Sequence, residues 1–438
     1  MYRTFNRLKF ASTLFTKSVV TLTLAWFGYK VYIAVLDPIE ILVIGPPAGS
    51  YTDSISDVRH TYKLALERVA DAGTLGMRPI KTDFIHSGPV GTDHGALLEQ
   101  ALVDKDYDAI FGCFTSVCLA EVTDVVERHE TLLFYPLPHH GYTRGEHIVY
   151  MGPVPNQVVL PALHWALENL GKRVYVVSSN TLYSRVVGEM IESELALSGG
   201  TLVGATYYGA EQTKIDELPP ELSSEHVDFV VNLLVGGTGF AFFERYGVES
   251  HGTERPPNLL MTTGERELHD TAVLDAVTNS YLASNYIWST ESRANREFKE
   301  NWAQRFGDSF IAGSVEVAAY NSVILWSEAT KRARSTRPER VGRALSGLSI
   351  EGAAGMVHVD WNTHHSIHTA RVSHVTVDGI AVPLWQDDEH AIPVPFHVNT
   401  TGDAAESRID RLRMEWDGNW YSSKTINRAP QGATVAER

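Results

Sequence analysis

Cysteine is almost missing from this chain: 438 residues contain two, Cys113 and Cys118. Their spacing is not CxxC, and no His/Cys set surrounds them at zinc spacing, which excludes a structural zinc module. One falls at a strand end and the other in the first turns of a helix. They read as two small buried residues rather than a disulfide, which would need unusual backbone geometry there. Two cysteines so placed do not fix the redox compartment. A G-x-S-x-G elbow and an H-E-x-x-H frame are also missing, and no Ser/His/acid grouping can be placed around a common point. The chain therefore reads as a binding protein and not an enzyme. Repeats of solenoid period and low-complexity tracts are absent as well.

Positive charge is scarce beyond the first residues. Arg3, Arg7, Lys9, Lys17 and Lys30 precede the first acid, Asp37, so residues 1–37 carry +4 and the remainder −20 of the net −16. So acidic a body excludes nucleic acid as partner, because phosphate contact needs a basic face. Behind the basic residues, 18–36 read SVVTLTLAWFGYKVYIAVL. The run approaches the ~20 residues of a membrane span, its first part has signal-peptide length, and no A-x-A cleavage pattern follows. The flanking charges put that end in the cytoplasm and the body outside it, tethered or released.

The body alternates strands and helices about every 30 residues, the pattern of a parallel sheet covered on both faces. Strands are expected at 40–45, 79–85, 108–112 and 131–135, with helices at 52–72, 93–105 and 117–128 between them. Thr115 and Ser116 follow the third strand as N-cap candidates; Tyr135 ends the fourth, before Pro136-Leu137-Pro138. Ligands in open α/β sheets bind at the carboxyl ends of strands, where helix N-termini offer free N–H groups. An ordinary capped strand–helix–strand unit reads equally well. Pro153 and Pro155 mark a crossing, after which a second α/β series begins.

Val235-Gly-Gly-Thr-Gly239 follows a strand. Phe242 stands where a dinucleotide fingerprint needs a small residue, so Gly237 and Thr238 read as a tight turn near a small ligand, with no cofactor implied. Glu265 and Glu267 are cleft acids or a solvated helix start. His364, His365 and His368 lie in alternating sequence, which favours strand or turn over a metal-binding helix. His139 and His140 read as ligand contacts or as exposed loop. The last ~15 residues have a disordered composition.

FGCFTS, LLFYPLPHHG, HIVYMGPVPNQ, LLVGGTGFAFF, MTTGERE and VEVAAY occur in one order over roughly residues 39–395. In this the chain resembles the urea- and short-chain-amide-binding proteins of the type I periplasmic-binding-protein superfamily. The resemblance implies an α/β fold of two Rossmann-like lobes behind an N-terminal transmembrane or signal helix. It implies a signal or anchor segment 1–37, a first lobe from 38–155 plus about 286–347, a second from 156–285 plus about 348–398, and a polar extension 399–438. It implies a ligand site of Thr115, Ser116, Tyr135 and Pro138 from the first lobe and Thr181, Tyr183, Gly237, Thr238 and Glu265 from the second, with no metal. Thr181 stands where an aromatic is usual, and Phe114 and Leu137 where hydroxyl side chains are usual; a longer or more apolar amide-like or carboxylate solute than urea is then expected. Glu316 matches a position of structural role. The implied function is closure on a small solute and its delivery to an ABC-type permease. The alternative is a membrane-tethered sensor with a signalling partner, and an amidohydrolase comes third.

Overall fold

The structure is a computed structural model that describes residues 18–29, 37–46, 58–76, 78–86, 92–223, 226–250, 257–262, 268, 271–307, 311–388, 391–395 and 402–428. Two eight-stranded sheets each head a lobe. In chain order the first lobe begins with β1 (Ile39–Ile44), α1 (Val58–Asp71), β2 (Ile80–Ile85), α2 (His94–Asp104), β3 (Ala109–Gly112), α3 (Ser116–Arg128), β4 (Leu133–Tyr135) and β5 (Ile148–Tyr150). The second continues with α4 (Val159–Asn169), β6 (Arg173–Ser179), α5 (Leu182–Ser198), β7 (Thr201–Tyr208), β8 (Phe229–Leu233), α6 (Gly236–Ser250), β9 (Asn258–Met261), α7 (Thr271–Val277) and β10 (Tyr281–Ser284). Five strands of each sheet run parallel, ordered β2-β1-β3-β4-β5 and β7-β6-β8-β9-β10.

The physical cause is visible in the strands. AIFG of β3, LFY of β4 and FVVNL of β8 are buried at every position, as parallel strands covered on both faces must be. The covering helices are one-sided: α1 buries Val58, Tyr62, Ala65, Leu66 and Val69, the spacing of a single helical face. Caps set the helix ends. Asp93 accepts from the Ala96 N–H and Thr115 from the Cys118 N–H, and Gly199 closes α5 in the left-handed region at φ 71°.

From β10 the chain returns to the first lobe as α8 (Arg293–Phe306), α9 (Ser314–Ala333) and α10 (Pro338–Leu345). Phe298, Trp302, Val317 and Trp326 complete that lobe's core. β11 (Ser349–Gly352), β12 (Gly355–Asp360) and β13 (His365–Ser366) then extend the first sheet. β14 (Arg371–Val375), antiparallel to β10, and β15 (Ala381–Gln386), antiparallel to β14, extend the second. The passage expected at about residue 348 therefore comes at 367–370. Three connections join the lobes among the described residues: 151–158, 285–292 and 367–370.

Within the polar C-terminal extension, α11 (Gly402–Glu415) is a helix, and β16 (Ile426–Arg428) pairs antiparallel with β7. Its charged residues hid a narrow apolar stripe. At the other end, residues 18–29 form an exposed helix. No helix among the described residues is long and apolar enough to cross a membrane, so the expected transmembrane helix is not supported; residues 30–36 lie outside the description.

Candidate functional site

Gly112 ends β3 at φ 117°, and a Cβ there would overlap the Ile44 carbonyl. Cys113 follows, also left-handed at φ 67°. The two residues turn the chain so sharply that Cys113 and Cys118 come to a Cα separation of 5.7 Å and form a disulfide. The expectation of two separate buried thiols is thus wrong, because it assumed an ordinary turn. The disulfide staples the strand end to the first turn of α3. Thr115 caps that helix, its Oγ1 accepting from the Cys118 N–H at 2.9 Å. Ser116, half-buried, opens it, so the first N–H groups of α3 have no helical acceptor.

Phe114 does not wall a site. Its ring lies 6.3 Å from that of Tyr62, inside the first-lobe core, and Leu137 belongs to the same cluster. Their apolar character serves packing, which removes the sequence argument for an apolar ligand wall. Tyr135 is also wholly buried, its ring edge-on to His139 at 6.2 Å; Pro138 is half-buried.

The two histidines after Pro138 are buried, not exposed loop. The Gly141 N–H donates to His139 Nδ1 at 3.1 Å, which leaves the proton on Nε2. That nitrogen meets His365 Nε2 at 2.7 Å, and His365 Nδ1 donates to the Thr363 carbonyl at 2.6 Å. Both rings stack on Tyr150, at 4.6 and 4.3 Å. Neutral rings satisfy every bond in this chain. Burial, with the neighbouring His365 and His140 adding to it, pushes His139 well below its ordinary pKa. Burial lowers His365 and His140 to about 4. His140 Nδ1 accepts from the Tyr142 N–H at 3.0 Å, so Nε2 carries the proton; it is buried without a partner among the described residues. His365 lies in a strand, so the HHxxH run shares no helical face.

In the second lobe, Thr181 stands at the N-cap position of α5 without a side-chain cap to the backbone; its Oγ1 donates to Ser184 Oγ at 3.2 Å. Tyr183 is half-buried against the cluster of Val159, Leu163 and Val187. Gly236, at φ 59°, makes the tight turn that opens α6; Gly237 is half-buried and Thr238 buried. Val235 N–H donates to Ser179 Oγ at 3.3 Å, tying this turn to the end of β6. Asn232 Oδ1 accepts from the Leu234 N–H at 2.7 Å, leaving its buried Nδ2 without a partner among the described residues. Glu265 and Glu267 lie outside the described residues.

Of the expected residues, the fold puts Thr115, Ser116, Tyr135 and Pro138 at carboxyl strand ends of the first sheet. It puts Thr181, Tyr183, Gly237 and Thr238 at those of the second. Helices α3 and α5 touch across the lobes. Chemically, the first N–H groups of α3 are available as donors; elsewhere His140 Nε2–H and Asn232 Nδ2 are buried donors without a partner among the described residues. Sequence reasoning missed the C-terminal segment that joins this region. Thr181 forms a β-bridge with Tyr421. The Ser422 N–H donates to the Asn180 carbonyl at 2.9 Å, and Asn180 Nδ2 donates to the Lys424 carbonyl at 2.9 Å. Leu182, Val186 and Met190 pack on Leu412 and Trp416, with Tyr142 of the first lobe against the same cluster. The signal was present: Ala405, Ile409, Leu412 and Trp416 repeat at helical spacing.

The family model of the periplasmic binding protein domain matches residues 39–401. Among solved structures, a Rhodopseudomonas palustris BisB5 ABC-transporter solute-binding protein in complex with 3,4-dihydroxybenzoic acid is similar, at 17% identity and TM-score 0.71. The match covers 82% of this chain and 99% of that one. An R. palustris solute-binding protein in complex with benzoate matches at 13% identity and TM-score 0.72, covering 82% and 98%. The leucine-binding protein of Thermotoga maritima matches at 16% and 0.66, covering 80% and 98%. At these identities the likeness is one of fold. A curated relative, limonene hydroxylase of Geobacillus stearothermophilus, is 25% identical over 136 residues, 31% of this chain; the chain spans a quarter of that protein's length.

Proposed function

The chain belongs to the periplasmic binding protein domain family, and from that premise we propose that it is a solute-binding protein that closes two lobes on a small solute and hands it to an ABC-type permease. One observation supports the reading: α3 and α5, each of which begins at the carboxyl end of a parallel strand in its own sheet, touch across the lobes. Lobes joined by short connections close by hinge motion. The ligand is a small organic solute with a carboxylate or amide oxygen. The donors at the α3 N-terminus support an acceptor group. The benzoates in similar structures, and leucine in the name of another, are carboxylates.

The body acts outside the cytoplasm, with residues 18–36 as export signal or anchor. The Cys113–Cys118 disulfide supports an oxidising compartment. Recovery of the chain only from the cytosolic fraction would contradict this.

The deciding experiment is calorimetric titration of the full chain with benzoates, branched-chain amino acids, short-chain amides and urea. A carboxylate is expected to bind more tightly than urea, and Ser116→Ala to lose about fivefold, roughly 1 kcal/mol. Absence of binding across the panel sinks the reading; unchanged affinity in Ser116→Ala removes that hydroxyl from it.

A further inference from the structure

The three connections between the lobes meet around a cavity. It is lined by Met151 of the first, Asn285 of the second and residues 367–369 of the third, with Ser366 of β13, α9, the β11–β12 turn and Arg371 completing the wall. None of the residues expected to contact a cleft ligand is among its lining. A hydrogen-bonded chain ties the connections together. Asn285 Nδ2 donates to His368 Nδ1 at 3.0 Å, His368 Nε2 to Ser366 Oγ at 2.6 Å, and Ser366 Oγ to the Met151 carbonyl at 3.0 Å. That order of donors and acceptors is complete with His368 neutral.

Arg371 is the charge in this wall. Its side chain is half-buried, and its guanidinium donates to the Asn285 carbonyl, to Gln386 Oε1 at 3.2 Å and to the Ala354 carbonyl at 3.5 Å. All three acceptors are uncharged, and no carboxylate pairs with Arg371 among the described residues. Burial accordingly lowers its pKa from the ordinary arginine value. A guanidinium has five N–H donors in a planar fork that suits two oxygens of one anion. A cation withdrawn from water without a counter-charge is costly unless something supplies the opposite sign. The buried amide of Asn321 stands in the same wall. With no carboxylate in the lining, the cavity is unsuited to a metal ion or an amine.

We propose that the hinge cavity takes up a small oxyanion on Arg371, and that the bound anion holds the three connections in the arrangement seen here. Carboxylate and inorganic phosphate share the needed chemistry. The site is independent of the cleft and does not rest on the solute-binding reading.

The test is a thermal-shift and calorimetric titration of the full chain with acetate and, separately, with inorganic phosphate, each against sodium chloride at matched ionic strength. A saturable rise in melting temperature is expected with at least one oxyanion; which one responds identifies the class. Arg371→Gln, shown to be folded by circular dichroism, is expected to lose the response, while Ser116→Ala, a cleft variant, keeps it. Asn321→Leu, which removes the amide from the wall, makes it apolar and leaves the cation, is expected to weaken it too and serves if Arg371→Gln does not fold. No saturable shift with either anion, or the same shift in a folded cavity variant, overturns the proposal. Loss in Ser116→Ala alone would place the anion in the cleft and overturn it as well. A chain that binds no cleft solute but keeps the Arg371-dependent response fails the proposed function and leaves this site standing.

Discussion

Arg185 and Glu415, 230 residues apart in sequence, form a two-pronged ion pair: Nη1 to Oε1 at 3.0 Å and Nη2 to Oε2 at 3.2 Å. Arg185 is wholly buried, with Nη1 also on Asn180 Oδ1 at 3.1 Å and its guanidinium 5.1 Å from the Tyr207 ring. One turn further along α5, Glu189 holds Arg408. The two pairs have opposite polarity, acid on the tail in one and base in the other. They fix α11 antiparallel to α5, and a reversed helix would set like charges together.

Glu415→Ala strands a buried guanidinium that keeps one amide oxygen and two aromatic faces. Breaking a buried pair from one side costs about 3–5 kcal/mol, and the half-exposed carboxylate reduces this to about 2 kcal/mol. The expected outcome is local release of residues 402–428, read as faster proteolysis there, with a smaller fall in the global melting temperature. A tail as protected as in the parent would show that the pair is not what docks it.

Stability should fall on acidification, starting above the usual carboxylate range. His140 and His365 are held neutral by burial, with folded pKa values of about 4 against about 6.5 unfolded. A depressed pKa means the unfolded chain takes up the protons first. The contribution is intact above pH about 6.5 and is lost as pH falls toward about 4, at about 1.4 kcal/mol per pH unit for each group. Denaturant melts across that window in the parent and in His140→Gln check this: the variant is expected to show a shallower slope, and equal slopes would refute it.

The disulfide closes a loop with a sequence separation of 5. Loop-closure entropy for so short a loop predicts a stabilisation of about 2 kcal/mol. Cys113→Ser with Cys118→Ser, or reduction of the parent, should lower the unfolding free energy by that amount, with a lower midpoint, and weaken solute binding, because the first turn of α3 is held by the staple. An unchanged midpoint on verified reduction would contradict this.

The strand–helix alternation was legible because parallel strands buried on both faces, such as Phe229–Leu233, are unbroken apolar runs, and because Thr115 is a good cap. The disulfide was not, since it depends on two consecutive left-handed residues, and only one of them is a glycine. The same turn sends Phe114 inward, against the reading of its position as a site wall. The 349–366 strands were misplaced because short antiparallel pairs alternate in the same way at the edge of either sheet. The histidine chain joins His139 to His365 across 226 residues, a distance over which local spacing carries no information.

The tail also acts as a rope. Asn156 grips it at the junction of the lobes, Nδ2 to the Ile392 carbonyl and Oδ1 from the Val394 N–H, each at 2.9 Å. Beside them, Gly141 leaves room for the Pro395 carbonyl, which a Cβ there would overlap. α11 begins at Gly402 and packs on the second lobe. The backbone from Pro395 to Gly402 reaches at most about 25 Å when fully drawn out, at about 3.3–3.6 Å per residue. However the lobes swing, those two points cannot part further while both hold. The tether therefore limits how far the junction at Asn156 and the start of α11 can separate, and any wider movement requires release at Asn156 or of α11 from α5.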